Sequence, residues 1–125
     1  MDKAIIQQER FVVTLLARRA ALHARDVIKT DISRHFVLKD LARKVLTNEC
    51  ALKKEFKKLF KITVYQYLLQ CRMHHANNLL QTTRLKVKDI AIKCGYESPA
   101  GFINSFRRYY GVSPGQLRRK SCSAA

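Results

Sequence analysis

Lys53, Lys54, Lys57 and Lys58 fall within six consecutive positions, and at an offset of 50 the matching positions hold Ile103, Asn104, Arg107 and Arg108. Spacings of one, four and five residues place such side chains on one side of a helix. An ammonium offers three donors, a guanidinium a planar fork of donors, and an amide a donor beside an acceptor. The chemistry that suits this set is recognition of anionic oxygens and of base edges, not the making or breaking of bonds. Local motifs assemble no paired carboxylates, no nucleophile with its base, no phosphate-binding glycine loop and no metal cluster, so an enzyme is not expected. Cys50, Cys71, Cys94 and Cys122 show neither CxxC pairing nor ligand-like spacing with His23, His35, His74 or His75. They are expected to be structural or incidental thiols, with no metal and no cofactor. A lysine stripe on a lone helix is more often a solvated face. Here the stripe recurs.

It also lies in a chain of net charge +16, far more than solubility requires, which implies an anionic partner. The basic excess grows toward the C-terminal two thirds, where both clusters lie. Among 125 residues 47% are hydrophobic, enough for a buried core in a single domain. Four Gly, two Pro and short β-branched runs favour an all-α fold. The longest apolar stretch, Phe11 to Ala17, is interrupted by Thr14 and flanked by Arg10, Arg18 and Arg19, too short to span a bilayer. No signal-peptide cleavage pattern follows it, so a cytoplasmic protein without membrane partners is expected. Arg18 and Arg19 read as part of a solvated face.

The elements that must carry the clusters come from an internal repeat. K-D-L-A-R-K from Lys39 returns as K-D-I-A-I-K from Lys88, an offset of 49. Leu52, Phe56, Phe60, Ile62 and Thr63 return as Phe102, Phe106, Tyr110, Val112 and Ser113 at an offset of 50, so the second copy has one extra residue in its turn. Each copy reads as short helix, tight turn, second helix. Leu38, Leu41, Ala42 and Val45 form the first buried stripe, and Val87, Ile90, Ala91 and Cys94 the second. Asn48 and Ser98 are the N-caps, Pro99 takes the first helical position, and Gly111 stops the last helix. Between the copies, Thr63 to about Thr82 reads as one connecting helix. Residues 4–30, with Phe11, Val12, Leu15, Leu16, Leu22, Val27 and Ile28, read as one long or broken helix packed on the first unit. The expected layout is an N-terminal helical extension at 1–35, a first unit at about 36–62, the connecting helix at about 63–82 and a second unit at about 85–120. The tail from Ser121 to Ala125 is expected to be disordered.

A helical wheel turns Leu52, Phe56, Leu59 and Phe60 inward and leaves Cys50, Lys53, Lys54, Lys57 and Lys61 outward. In the second copy Phe102, Phe106, Tyr109 and Tyr110 turn inward, and Ala100, Ile103, Asn104 and Arg107 outward. The candidate base-facing residues are therefore Cys50, Lys53, Lys54, Lys57, Ala100, Ile103, Asn104 and Arg107. Lysine can reach guanine O6 or N7, asparagine can pair with adenine, and small apolar groups can touch a thymine methyl. Lys58, Lys61, Arg108, Arg118 and Arg119 lie toward the edges of these faces, better placed for phosphates.

From Ile90 to Arg118 the run I-A-I-K-C-G-Y-E-S-P-A-G-F-I-N-S-F-R-R-Y-Y-G-V-S-P-G-Q-L-R resembles the signature of the AraC/XylS family of bacterial transcription regulators. L-A-R-K-V-L-T-N-E-C-A-L-K-K-E-F-K-K-L-F resembles that family's first unit, and Y-L-L-Q-C-R-M-H-H-A-N-N-L-L, from Tyr67 to Leu80, its connecting helix. The similarity covers roughly residues 36–119. It departs at Leu46 and Lys61, where the family commonly has Gly and where both turns are expected to be tighter or strained, and at Cys50, an unusual base-facing residue. The resemblance implies two helix-turn-helix units joined by a long helix, binding to asymmetric promoter DNA, and activation through RNA polymerase. Larger members carry a sensing or dimerising domain. About 35 residues before the first unit are too few for one, so the chain reads either as a stand-alone member or as the C-terminal part of a longer protein. Two joined recognition helices can enter successive grooves about 34 Å apart, so one monomer per site is expected. The rival readings are a sequence-neutral architectural DNA- or RNA-binding protein, and a membrane-surface helix at 10–29.

Overall fold

A computed structural model describes the backbone of residues 3–123 and the side chains of residues 3–120. Among these residues the chain forms seven helices and no strand. They are α1 (Lys3–Thr30), α2 (Leu38–Lys44), α3 (Glu49–Phe60), α4 (Val64–Thr82), α5 (Val87–Lys93), α6 (Pro99–Tyr110) and α7 (Pro114–Ser123). Contacts divide the chain into two compact units, one of Met1–Thr30 with Phe36–Tyr67, the other of Asp31–His35 with Leu68–Ala125.

In the first unit α1 packs on α3 and α2. The α2 stripe of Leu38, Leu41, Ala42 and Val45 is buried as the periodicity requires, and Leu52 and Phe56 meet it from α3. The Phe56 ring lies 4.6 Å from Phe60 and 5.7 Å from Tyr67, and the Arg25 guanidinium sits 5.4 Å over the Phe60 ring. Glu55 is buried too, with its Oε2 lacking a hydrogen-bond partner, a position that the wheel left unassigned.

Helix α1 is unbroken, but its contribution to this core differs from expectation. Ala20, Ala21, Ala24 and Ile28 are buried, whereas Phe11, Val12, Leu15, Leu16 and Leu22 are 41–64% exposed. Three alanines bring the backbone close to its neighbour beside Ile28, and the larger apolar residues from Phe11 to Leu22 do not enter the core.

In the second unit Met73, Ala76 and Leu80 of α4, Ile90, Ala91 and Cys94, and Phe102 and Phe106 of α6 form one cluster, edged by Leu69, Leu85, Tyr96, Tyr110 and Leu117. Burial pushes the Cys94 thiol up to about 11, so this cysteine is a neutral hydrophobe at pH 7. The end of α7 also departs from expectation. Ser121 to Ser123 continue the helix, while Ala124 and Ala125 lie outside the described residues.

The turns show why the copies superpose so well in sequence. After α2, Thr47 N–H donates to the Ala42 carbonyl at 2.9 Å and Leu46 N–H to Arg43 at 3.2 Å; after α5, Tyr96 donates to Ala91 at 2.9 Å and Gly95 to Ile92 at 3.0 Å. This is the Schellman closure, which needs a left-handed residue. Gly95 supplies it at φ 91°, and Leu46 is forced to φ 63°. After α3 and α6 the left-handed residues are Lys61 at φ 65° and Gly111 at φ 80°, each donating back four residues, to Lys57 and Arg107. The two departures from glycine are therefore strained, in the same conformation that glycine takes in the second copy. The extra residue of the second turn is Glu97, between Tyr96 and the cap Ser98.

Candidate nucleic-acid interface

Each second helix is anchored at both ends. Asn48 Oδ1 accepts from Ala51 N–H at 2.8 Å, and Ser98 Oγ accepts from Gly101 N–H at 3.2 Å. Beyond the helices, Thr63 and Gln66 bond reciprocally at 2.8 and 3.1 Å, and Ser113 and Gln116 do the same at 3.0 and 3.2 Å. These capping boxes start α4 and α7, fixing the chain as it leaves α3 and α6.

Between those anchors, apolar and polar faces separate. Leu52 and Phe56 are buried in α3, Phe102 and Phe106 in α6. Cys50, Lys53, Lys54, Lys57, Lys58 and Lys61 are exposed on α3 and its C-cap. Ala100, Asn104, Arg107 and Arg108 are exposed on α6, with Ile103 half-buried among them. Leu59 and Tyr109, expected inward, are 37% and 40% exposed and mark the border of each face, Tyr109 standing edge-on to His74 at 6.2 Å. Glu49 is the acidic residue on the α3 surface, pairing with Lys53 at 3.5 Å; α6 carries none.

Arg119 is exposed as expected. Arg118 is placed differently from its expected phosphate role. Its Nε and two Nη atoms donate to the carbonyls of Leu80 at 3.2 Å, Leu85 at 2.6 Å and Thr83 at 3.3 Å, so its fork is engaged by the chain around the C-terminal end of α4. The Leu80 carbonyl is among the last four of α4, which a helix end leaves without intrahelical partners, and those of Thr83 and Leu85 lie in the segment that follows it. Lys39, Arg43 and Lys44 on α2 and Lys88 and Lys93 on α5 are exposed cations that sequence reasoning did not place in the site. Their signal was the part of the basic excess that α3 and α6 leave unexplained.

The family model described as a helix-turn-helix domain matches residues 41–120, spanning both units. The chain belongs to the AraC-type helix-turn-helix family. It is 38% identical over 124 residues to the HTH-type transcriptional activator RhaR of Klebsiella pneumoniae subsp. pneumoniae, a match covering 99% of this chain and 41% of that protein. The virulence regulon transcriptional activator VirF of Shigella flexneri is 33% identical over 72% of this chain and 34% of its own length. The chain thus spans about two fifths or less of these relatives. Among solved structures, a DNA-binding transcriptional dual regulator from Escherichia coli K-12 matches at TM-score 0.75 and 30% identity, covering 84% of this chain and 94% of that one. No helix among the described residues is long and apolar enough to cross a membrane.

Proposed function

We propose that this AraC-type chain is a sequence-specific double-stranded DNA-binding transcription regulator, an activator, which presents α3 and α6 to successive segments of the major groove. One observation carries the reading. Two helices of 12 residues, capped alike, bury aromatic faces and expose opposite faces whose side chains are cationic or amide-bearing. An α-helix with its side chains is about 10–12 Å across, matching a major groove about 12 Å wide. Cys50, Lys53, Lys54 and Lys57 then face bases from α3, and Ala100, Ile103, Asn104 and Arg107 from α6. Lys58, Lys61, Arg108 and Arg119 bind phosphates, while Arg118 supports the fold that holds them. Both helices belong to one chain, so a monomer fills one site, in the cytoplasm where promoter DNA and RNA polymerase are found.

Selection of bound sequences from a random duplex pool tests this. The expected outcome is an enriched motif of two blocks about one helical turn apart. Equal affinity for unrelated duplexes, or a preference for RNA, would replace it with the sequence-neutral reading.

A further inference from the structure

The segment 31–35 joins α1 to α2, which are both elements of the first unit, yet it belongs to the second. The chain therefore passes between units after Thr30, after His35 and again after Tyr67 within α4. The third passage is a continuous helix. The first two are a short strap, and the second unit fastens it closely.

Arg72 of α4 makes the fastening. Its Nε donates to the Ile32 carbonyl at 2.8 Å and its Nη2 to the Arg34 carbonyl at 3.1 Å, while the guanidinium lies 5.6 Å over the Tyr96 ring. Gly95 lets the strap lie this close. At φ +91°, a Cβ there would stand 2.9 Å from the Ser33 Cα, the Ser33 carbonyl oxygen and Arg72 Nη2. Glu97, the extra residue of the second turn, meets His35 at 3.7 Å. One planar cation thus holds two carbonyls of the strap and the turn that precedes α6, a geometry that lysine cannot reproduce.

A helix alone leaves two units free to twist and bend about it, whereas a second, fastened crossing removes part of that freedom before DNA is met. Preorganisation of this kind sharpens the geometry that a bipartite reader accepts. We propose that Arg72 is a positioning residue for DNA recognition: by fastening the 31–35 strap it sets which spacing between two half-sites the protein accepts. The inference rests on the reading of α3 and α6 as two base readers.

The test uses the 125-residue protein on a selected site, on versions with one base pair added or removed between the blocks, and on DNA keeping a single block. Each added pair turns one block by about 35° and shifts it about 3.4 Å relative to the other. The wild type should lose about tenfold or more in affinity on either re-spaced site, a cost like that of a mismatched pair. Arg72→Ala should bind all three spacings within about threefold of one another and the single block within about twofold of wild type, with Arg72→Lys intermediate. A second variant keeps Arg72 and inserts two glycines between Ser33 and Arg34; surface insertions are tolerated, so it decides the matter even if Arg72→Ala unfolds. It too should lose spacing preference. If both variants melt earlier yet keep the wild-type spacing preference, Arg72 serves stability alone and the inference falls. A wild type indifferent to spacing instead overturns the bipartite reading, and the role of the strap with it.

Discussion

Asn104 stands on the exposed face of α6 within the first half of the helix, where an amide can accept and donate at once, matching N6 and N7 of adenine. Lys58 stands exposed to the side of the α3 face, and on the proposed reading its ammonium meets phosphates, which are the same for every base pair. Asn104→Ala should therefore lose about 1–3 kcal/mol on the preferred site and relax preference at one or two base pairs. Lys58→Ala should weaken binding to all sequences alike. Titration of both proteins against a selected site and an unrelated duplex separates the two, and a uniform loss from Asn104→Ala would remove it from the base-reading set. Exposure of these residues was legible in the sequence because each lies two positions from a buried aromatic on the same helix, about 200° around the axis and so on the opposite face. Arg118 and Arg72 were not legible. Their partners are backbone carbonyls 33 to 40 residues distant, and no local pattern marks a cation that bonds a carbonyl rather than a phosphate.

Among the elements, α3 and α6 depend on their inward rings. Phe56 and Phe106 are fully buried, so truncating either to alanine should cost about 3–5 kcal/mol in urea or thermal unfolding. A mutant that unfolds like its parent would show that the phase of its helix, and the outward face with it, is wrong. The turns make the opposite prediction. Leu46 is 93% exposed and Lys61 is exposed, and both hold left-handed backbone that glycine adopts without steric cost. Leu46→Gly and Lys61→Gly should each raise stability by about 1 kcal/mol, the left-handed penalty less glycine's extra chain entropy. Unchanged or lowered melting temperatures would mean that these side chains contribute something their exposure does not reveal. The starts of α3 and α6 and the end of α6 could be read because Asn48, Ser98, Pro99 and Gly111 punctuate them. The packing of α1 could not. Its N-terminal half is apolar on nearly every side, so periodicity carries no phase there, and small residues at 20, 21 and 24 make the contact together with Ile28.

Across the whole molecule, 25 basic residues against 9 acidic ones set the electrostatics, and α2 and α5 add exposed cations beside those of α3 and α6. If the phosphate-facing Lys58, Lys61, Arg108 and Arg119 displace counterions, the logarithm of affinity should fall with the logarithm of salt at a slope of about −4, from about 0.9 per phosphate. Filter-binding or fluorescence titrations between low and physiological salt measure it, and a slope near −1 would deny phosphate neutralisation a leading part. The central claim is that two helices of one chain each read their own block of bases, and the affinities of wild type, Lys54→Ala and Asn104→Ala for every single-base variant of a selected site test it most directly. The account predicts that each substitution flattens preference, by about 1–3 kcal/mol, within one block only, and that the two blocks differ and lie about one helical turn apart. Preference profiles that both substitutions leave unchanged, or flatten at the same base pairs, would contradict it.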